Sequence, residues 1–103
     1  MTTAAADLIK EQLEERALEY LDLKEQLKNL KEELQAVSER VELEQQRIEE
    51  GETNIYTARR REIESDIFYT KSGIVEASIQ IEVLRRHLRT LTGEHIHFRP
   101  SFE

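Results

Sequence analysis

From Leu8 onward the apolar residues recur in alternating steps of three and four. Leu13, Tyr20, Leu27, Leu34, Val41 and Ile48 fall at heptad position a, and Ile9, Arg16, Leu23, Leu30, Val37 and Glu44 at position d. A seam sustained over more than four heptads is the strong form of the coiled-coil signal. It predicts a helix over 8–50, roughly 60 Å long at about 1.5 Å per residue. The pattern then resumes. Arg60, Ile67, Ile74, Ile81 and Leu88 take position a, and Tyr56, Ile63, Thr70, Ala77, Leu84 and Leu91 take position d, which predicts a second helix over 55–92.

Between the two seams stands Gly51-Glu52-Thr53-Asn54. A glycine closes a helix C-terminus in the left-handed conformation without a Cβ clash, and Thr53 or Asn54 supplies the oxygen that starts the next helix. A short polar turn over 51–54 makes the helices antiparallel neighbours. The expected fold is all-α, a long antiparallel helical hairpin (a two-helix coiled coil) completed by oligomerisation into a helical bundle.

Folded about that turn, the seams meet a to d. Ile48 comes level with Tyr56, Val41 with Ile63, Val37 with Ile67, Leu30 with Ile74, Leu23 with Ile81 and Leu13 with Leu91. Leu27 then faces Ala77 and Leu34 faces Thr70, large against small, as an interdigitated core requires. Glu44 interrupts the first seam and Arg60 the second. This register sets them opposite one another as a core register pair, while Arg16 meets Leu88 without a polar partner. Thr70-Lys71-Ser72-Gly73 reads as a second turn on composition, yet the heptads pass through it without a shift, so a single helix with a weak point at Gly73 is expected.

A second apolar row, Phe68, Val75 and Ile79 with Ser72 between them and Val83 beside, lies on the side of the second helix away from the seam. A helix apolar on two faces is packed on two sides, so Phe68, Ser72, Val75, Ile79 and Val83 are the expected oligomer interface. Leu18 and Leu21 form a smaller patch on the first helix. Residues 1–7 read as a loose lead-in. After Gly93 the pattern changes: Ile96 and Phe98 alternate with polar residues and Pro100 forbids a helix. The segment 93–103 is thus an extended tail expected to dock through Ile96, Phe98 and Phe102.

Composition narrows the picture. At 103 residues the chain is one domain at most, and 36% charged residues with few aromatics suit long helices. One seam per helix buries a thin core, which partners usually complete. The net charge of −7 argues against a nucleic-acid backbone as ligand. Arg59-Arg60-Arg61 and Arg85-Arg86 read as a solvated face laced with ion pairs. There is no cysteine, and the start Met1-Thr2-Thr3-Ala4 lacks the basic residues and apolar run of a signal peptide. No stretch is apolar enough to insert in a membrane, so a cytoplasmic protein or a soluble component of a particle is expected.

Little here carries chemistry. His95 and His97, two residues apart, would point the same way from an extended strand and could share a metal, but the sequence offers no third ligand within reach and a closed zinc site needs four; His87 reads as a helix surface residue. Arg16 lies roughly 40 Å along the helix from Glu44, too far for one hairpin to join them in a site. No nucleophile–base pair, phosphate loop or metal triad is present, so neither an enzyme nor a bound cofactor is expected.

Arg47-Ile48-Glu49-Glu50-Gly51, then Asn54, a long helix and Leu91-Thr92-Gly93, resemble the helical hairpins of TolC-type outer-membrane efflux channels. That family places an arginine four residues before the turn glycine, a small polar residue three after it, and a glycine after a leucine-rich second helix. The resemblance covers about half the chain, and Thr57 departs from the family's aspartate. It implies a fragment or reduced relative of a periplasmic tunnel hairpin that docks on an adaptor protein. The residues by themselves indicate a non-enzymatic structural or assembly subunit whose partners are proteins, other copies of itself among them.

Overall fold

The computed structural model of the chain describes residues 2–93. Two helices account for nearly all of them: α1 (Thr2–Arg47) and α2 (Ile55–Thr92), with no strand among the described residues. The chain is all-α. Of the described residues, those up to Leu21 and those from Val75 form a first compact unit, and Asp22–Ile74 form a second.

The predicted helices are present, with two shifts at their ends. Residues 2–7, expected as a loose lead-in, are the first turns of α1. Ala4-Ala5-Ala6 is the best helix-forming run available, and Ala6 sits one heptad before Leu13, where it is 6% exposed. At the other end α1 stops at Arg47 rather than residue 50, its last bond running from the Ile48 N–H to the Glu44 carbonyl at 2.9 Å. Gly51 therefore does not close the helix. It occupies the third position of a β-turn sealed by the Glu52 N–H on the Glu49 carbonyl (3.1 Å), and its φ of +92° there is the type II pattern that glycine suits. Gly93 does act as a helix stop: its φ is +77°, and its N–H bonds the Arg89 carbonyl at 2.8 Å. α2 runs unbroken through Thr70–Gly73.

In the second unit the two helices join through this turn as an antiparallel hairpin. All the predicted seam positions of this unit are buried or half-buried, and Ile63 at 0% exposed is the centre of the core. Removing such a side chain from water is worth about 1.5–3 kcal/mol. The register, however, differs from the expected one by a full heptad. Leu23, which the expected register set against Ile81, lies against Gly73, where an added Cβ would come 3.4 Å from a Leu23 methyl. Asn54 rests on Val41, and Gln26, Leu30 and Glu33 share a groove with Asp66, Tyr69 and Thr70. In that register Val37 comes level with Arg60, Leu34 with Ile63, Leu30 with Ile67 and Leu27 with Thr70.

The first unit follows the same register. Leu13, Ala17 and Tyr20 border one groove with Ser78, Ile81 and Arg85, while Gln12 and Arg16 border another with Ile79, Val83 and Leu84. Tyr20 comes level with Ala77, so the large-against-small logic survives with different partners. Ala6 and Ile9, 6% and 5% exposed, come level with Leu91 and Leu88. The physical reason for the shift lies here. A heptad seam slid by one whole repeat still sets a against d, so seam chemistry alone is indifferent to the slide. The expected register strands Ile9 and Ala6 beyond the end of α2; the observed one buries both.

Candidate association surface

Three groups of residues outside the plain apolar seam invite a functional reading: the turn, the polar seam positions and the exposed apolar faces. At the turn, Thr53 is exposed and Asn54 does the work. Its Oδ1 accepts the Tyr56 N–H at 3.1 Å, which caps α2. Its Nδ2 donates to the Val41 carbonyl at 2.8 Å and to Gln45 Oε1 at 3.3 Å. With 8% of its surface exposed, Asn54 is a buried polar group whose donors and acceptor are all used. It ties the start of α2 to the body of α1, which is why the loop folds back.

The expected Glu44–Arg60 bridge is not formed. The heptad shift carries Glu44 past the start of α2, and its carboxylate takes Arg47 one turn along α1 at 2.7 Å. The Glu44 side chain is 12% exposed and that of Arg47 76%, so the carboxylate is tucked against the hairpin while the guanidinium reaches out. The hydrogen bonds to Glu44 hold Arg47 above the ordinary arginine range. Arg60 stays half-buried, with no ion pair among the described residues; a long arginine lays its methylenes on apolar surface and keeps its head wet. Arg16 does the same at its seam position and bonds Glu19 at 2.8 Å.

A cross-helix ion pair of the second unit lies elsewhere: Arg59 joins Glu33 of α1 at 2.5 Å, and it also holds Glu62 one turn along α2 at 3.1 Å. The Glu33 bond, and then that to Glu62, push the Arg59 guanidinium further up. A raised arginine keeps its charge throughout the range below its ordinary value and loses it only in strong alkali, so a rise in pH to moderately alkaline values leaves the contact in place while salt screens it. Spacing at a, d or g positions gave no signal for this pair, because it depends on the register.

The exposed apolar residues are where the sequence placed them. In the first unit Val75, Ile79 and Val83 on α2, and Leu18 and Leu21 on α1, are 57–68% exposed. They stand at outward heptad positions, and the two sets border different sides of the helix pair: Leu21 lines the groove with Tyr20 and Ser78, whereas Ile79 and Val83 line the groove with Arg16 and Gln80. In the second unit Ser72 is exposed and Phe68 is 65% exposed, its ring meeting Tyr69 edge-on at 5.5 Å between centroids. His87 is exposed on α2. The remaining candidates, His95, His97, Ile96, Phe98 and Phe102, lie outside the described residues.

Among the described residues no group of three or more His, Asp or Glu side chains is arranged to hold a metal ion. Nor is any described helix long and apolar enough to cross a membrane. No family model, curated protein or solved structure matches the chain. The functional reading therefore rests on its own side chains.

Proposed function

We propose that this chain is a non-enzymatic structural subunit that works by helix–helix packing and assembles with further copies of itself. The observation that carries this reading is the apolar row Val75, Ile79 and Val83, exposed on the face of α2 opposite its buried seam. A row at helical spacing on one face differs from scattered surface apolars, which are common and need no partner. The thin two-helix core points the same way, since such cores gain most from added layers.

The test is the mass in solution. Wild-type chain is expected to elute above its monomer mass of 12.2 kDa in size-exclusion chromatography with light scattering. Val75→Glu with Ile79→Glu is expected to return it to monomer while far-ultraviolet circular dichroism keeps its helical signal, because both side chains point to solvent. A wild-type chain that remains monomeric at high micromolar concentration overturns the reading.

A further inference from the structure

The outer faces of α1 and α2 in the first unit each carry an apolar stretch, and beyond it α1 is acidic while α2 exposes Arg86. The α1 face reads Asp7, Glu11, Glu14, Leu18, Leu21 at outward positions: acidic, then apolar. The α2 face reads Val75, Ile79 and, one turn beyond a largely covered Glu82, the exposed Arg86, which Glu82 holds at 2.9 Å. Glu11 and Glu14 are exposed and form no ion pair among the described residues. The Arg86 side chain is 69% exposed despite its bond to Glu82, so its remaining donors are open.

The register of this unit adds a second observation. It sets Leu21 level with Val75, Leu18 with Ile79, Glu14 with Val83 and Glu11 with Arg86. Leu21 and Leu18 thus stand at the height of apolar residues and Glu11 at the height of a base, while Glu14 stands between them at the height of Val83. Within one copy these faces cannot meet, because each is turned away from the seam that joins the helices. A second copy placed beside the first, without any slide along the helix axis, brings one chain's α1 face onto its neighbour's α2 face.

Resting on the assembly reading above, we infer that copies of this chain pack side by side through a head-to-tail contact, α1 of one on α2 of the next. The contact pairs Leu18 and Leu21 with Val75 and Ile79, and Glu11 with Arg86. Such a contact is heterologous: every copy uses two different faces, so the array closes into a ring or grows as a row. Neighbouring helices remain antiparallel throughout, which also sets the positive end of each dipole beside the negative end of the next. Charge at the rim of the contact fixes orientation and discourages α1 on α1, where acids would face acids.

A mixing experiment tests this geometry. Leu18→Glu with Leu21→Glu spoils only the α1 face; Val75→Glu with Ile79→Glu spoils only the α2 face. Each variant alone is expected to be monomeric and helical. Mixed, they retain one intact α2 face and one intact α1 face, so they are expected to form a one-to-one heterodimer that grows no further. In the otherwise wild-type chain, Arg86→Glu is expected to weaken assembly at least tenfold, and adding Glu11→Arg to restore most of it.

Two results overturn the inference while leaving the assembly reading intact. One is an oligomeric wild type whose α1-face variant keeps its full mass, which means α2 packs on α2. The other is a pair of monomeric variants that stay monomeric on mixing. A monomeric wild type sinks both.

Discussion

Asn54 offers the sharpest test of how the two helices are joined. Judged as a helix cap alone, Asn54→Asp is neutral, since aspartate and asparagine cap equally well. The structure says otherwise. The amide donates to the Val41 carbonyl at 2.8 Å, and a carboxylate in its place sets a buried anionic oxygen against that carbonyl. Gln45 can turn its own amide to donate, but Val41 cannot. Leaving a buried charged acceptor against another acceptor costs about 2–3 kcal/mol. Asn54→Ala loses the cap, about 1 kcal/mol, and the bond to α1, about 1 kcal/mol more; Val41 keeps its helical partner, so no carbonyl is orphaned. Asn54→Ser keeps a cap and loses only the bridge, about 1 kcal/mol.

The expected order of stability is therefore wild type, Ser, Ala, Asp. It is measured by thermal unfolding at 222 nm and pH 7, at one fixed protein concentration because assembly contributes to the midpoint. Each kcal/mol is worth roughly 4–8 °C for a domain near this size. The Asp variant also carries a pH signature. Its new carboxyl is buried and faces acceptors, so its folded pKa is raised. Its protonated form donates to Val41, and that stabilisation is complete below the ordinary aspartate value and lost as pH rises through the raised one. The deficit against wild type is then smallest near pH 3 and largest at neutral pH. If the Asp variant melts within a degree or two of wild type at pH 7, the bridge from Asn54 to α1 does not exist, and the register built on it is wrong.

Ile63→Ala empties the most buried side chain and is expected to cost about 2–5 kcal/mol, read from urea midpoints; a loss under 1 kcal/mol means the core is looser than its burial indicates. Gly73→Ala is expected to stabilise by about 0.5–1 kcal/mol, because α2 gains helix propensity and the new methyl only touches a flexible Leu23 end; a drop in melting temperature shows that Leu23 cannot yield. The absence of native cysteine allows a direct check of register: Val37→Cys with Arg60→Cys is expected to form an intramolecular disulfide under mild oxidation, and Glu44→Cys with Arg60→Cys is not, since one heptad is about 10 Å of helix. Bridging of the second pair alone restores the register centred on residue 52. Glu44→Leu and Arg60→Leu are expected to be additive within about 0.5 kcal/mol in a double-mutant cycle, and a coupling above 1 kcal/mol places the two side chains together.

The chain's alternating threes and fours were enough to identify two helices, their inward positions and the outward rows, because those follow from a 3.6-residue turn and the cost of wetting leucine and isoleucine. Leu30 and Ile67, as much as Phe68 and Ile79, sit on the side their spacing requires. The capping role of Asn54 was half-legible: its residue type named it, but Thr53 was as good a candidate until the buried site selected the amide. Which layers meet was not legible at all. A heptad seam repeats, so every slide of seven residues is equally good locally, and the choice fell to features at the ends: Asn54 reaching back to Val41, and Ala6 and Ile9 gaining cover at the far end. From that single choice follow Glu44 turning to Arg47, Arg60 standing without a carboxylate among the described residues, and Arg59 finding Glu33. Periodicity determines faces; register is decided by the ends of the helices, where the repeat stops and specific hydrogen bonds and burial begin.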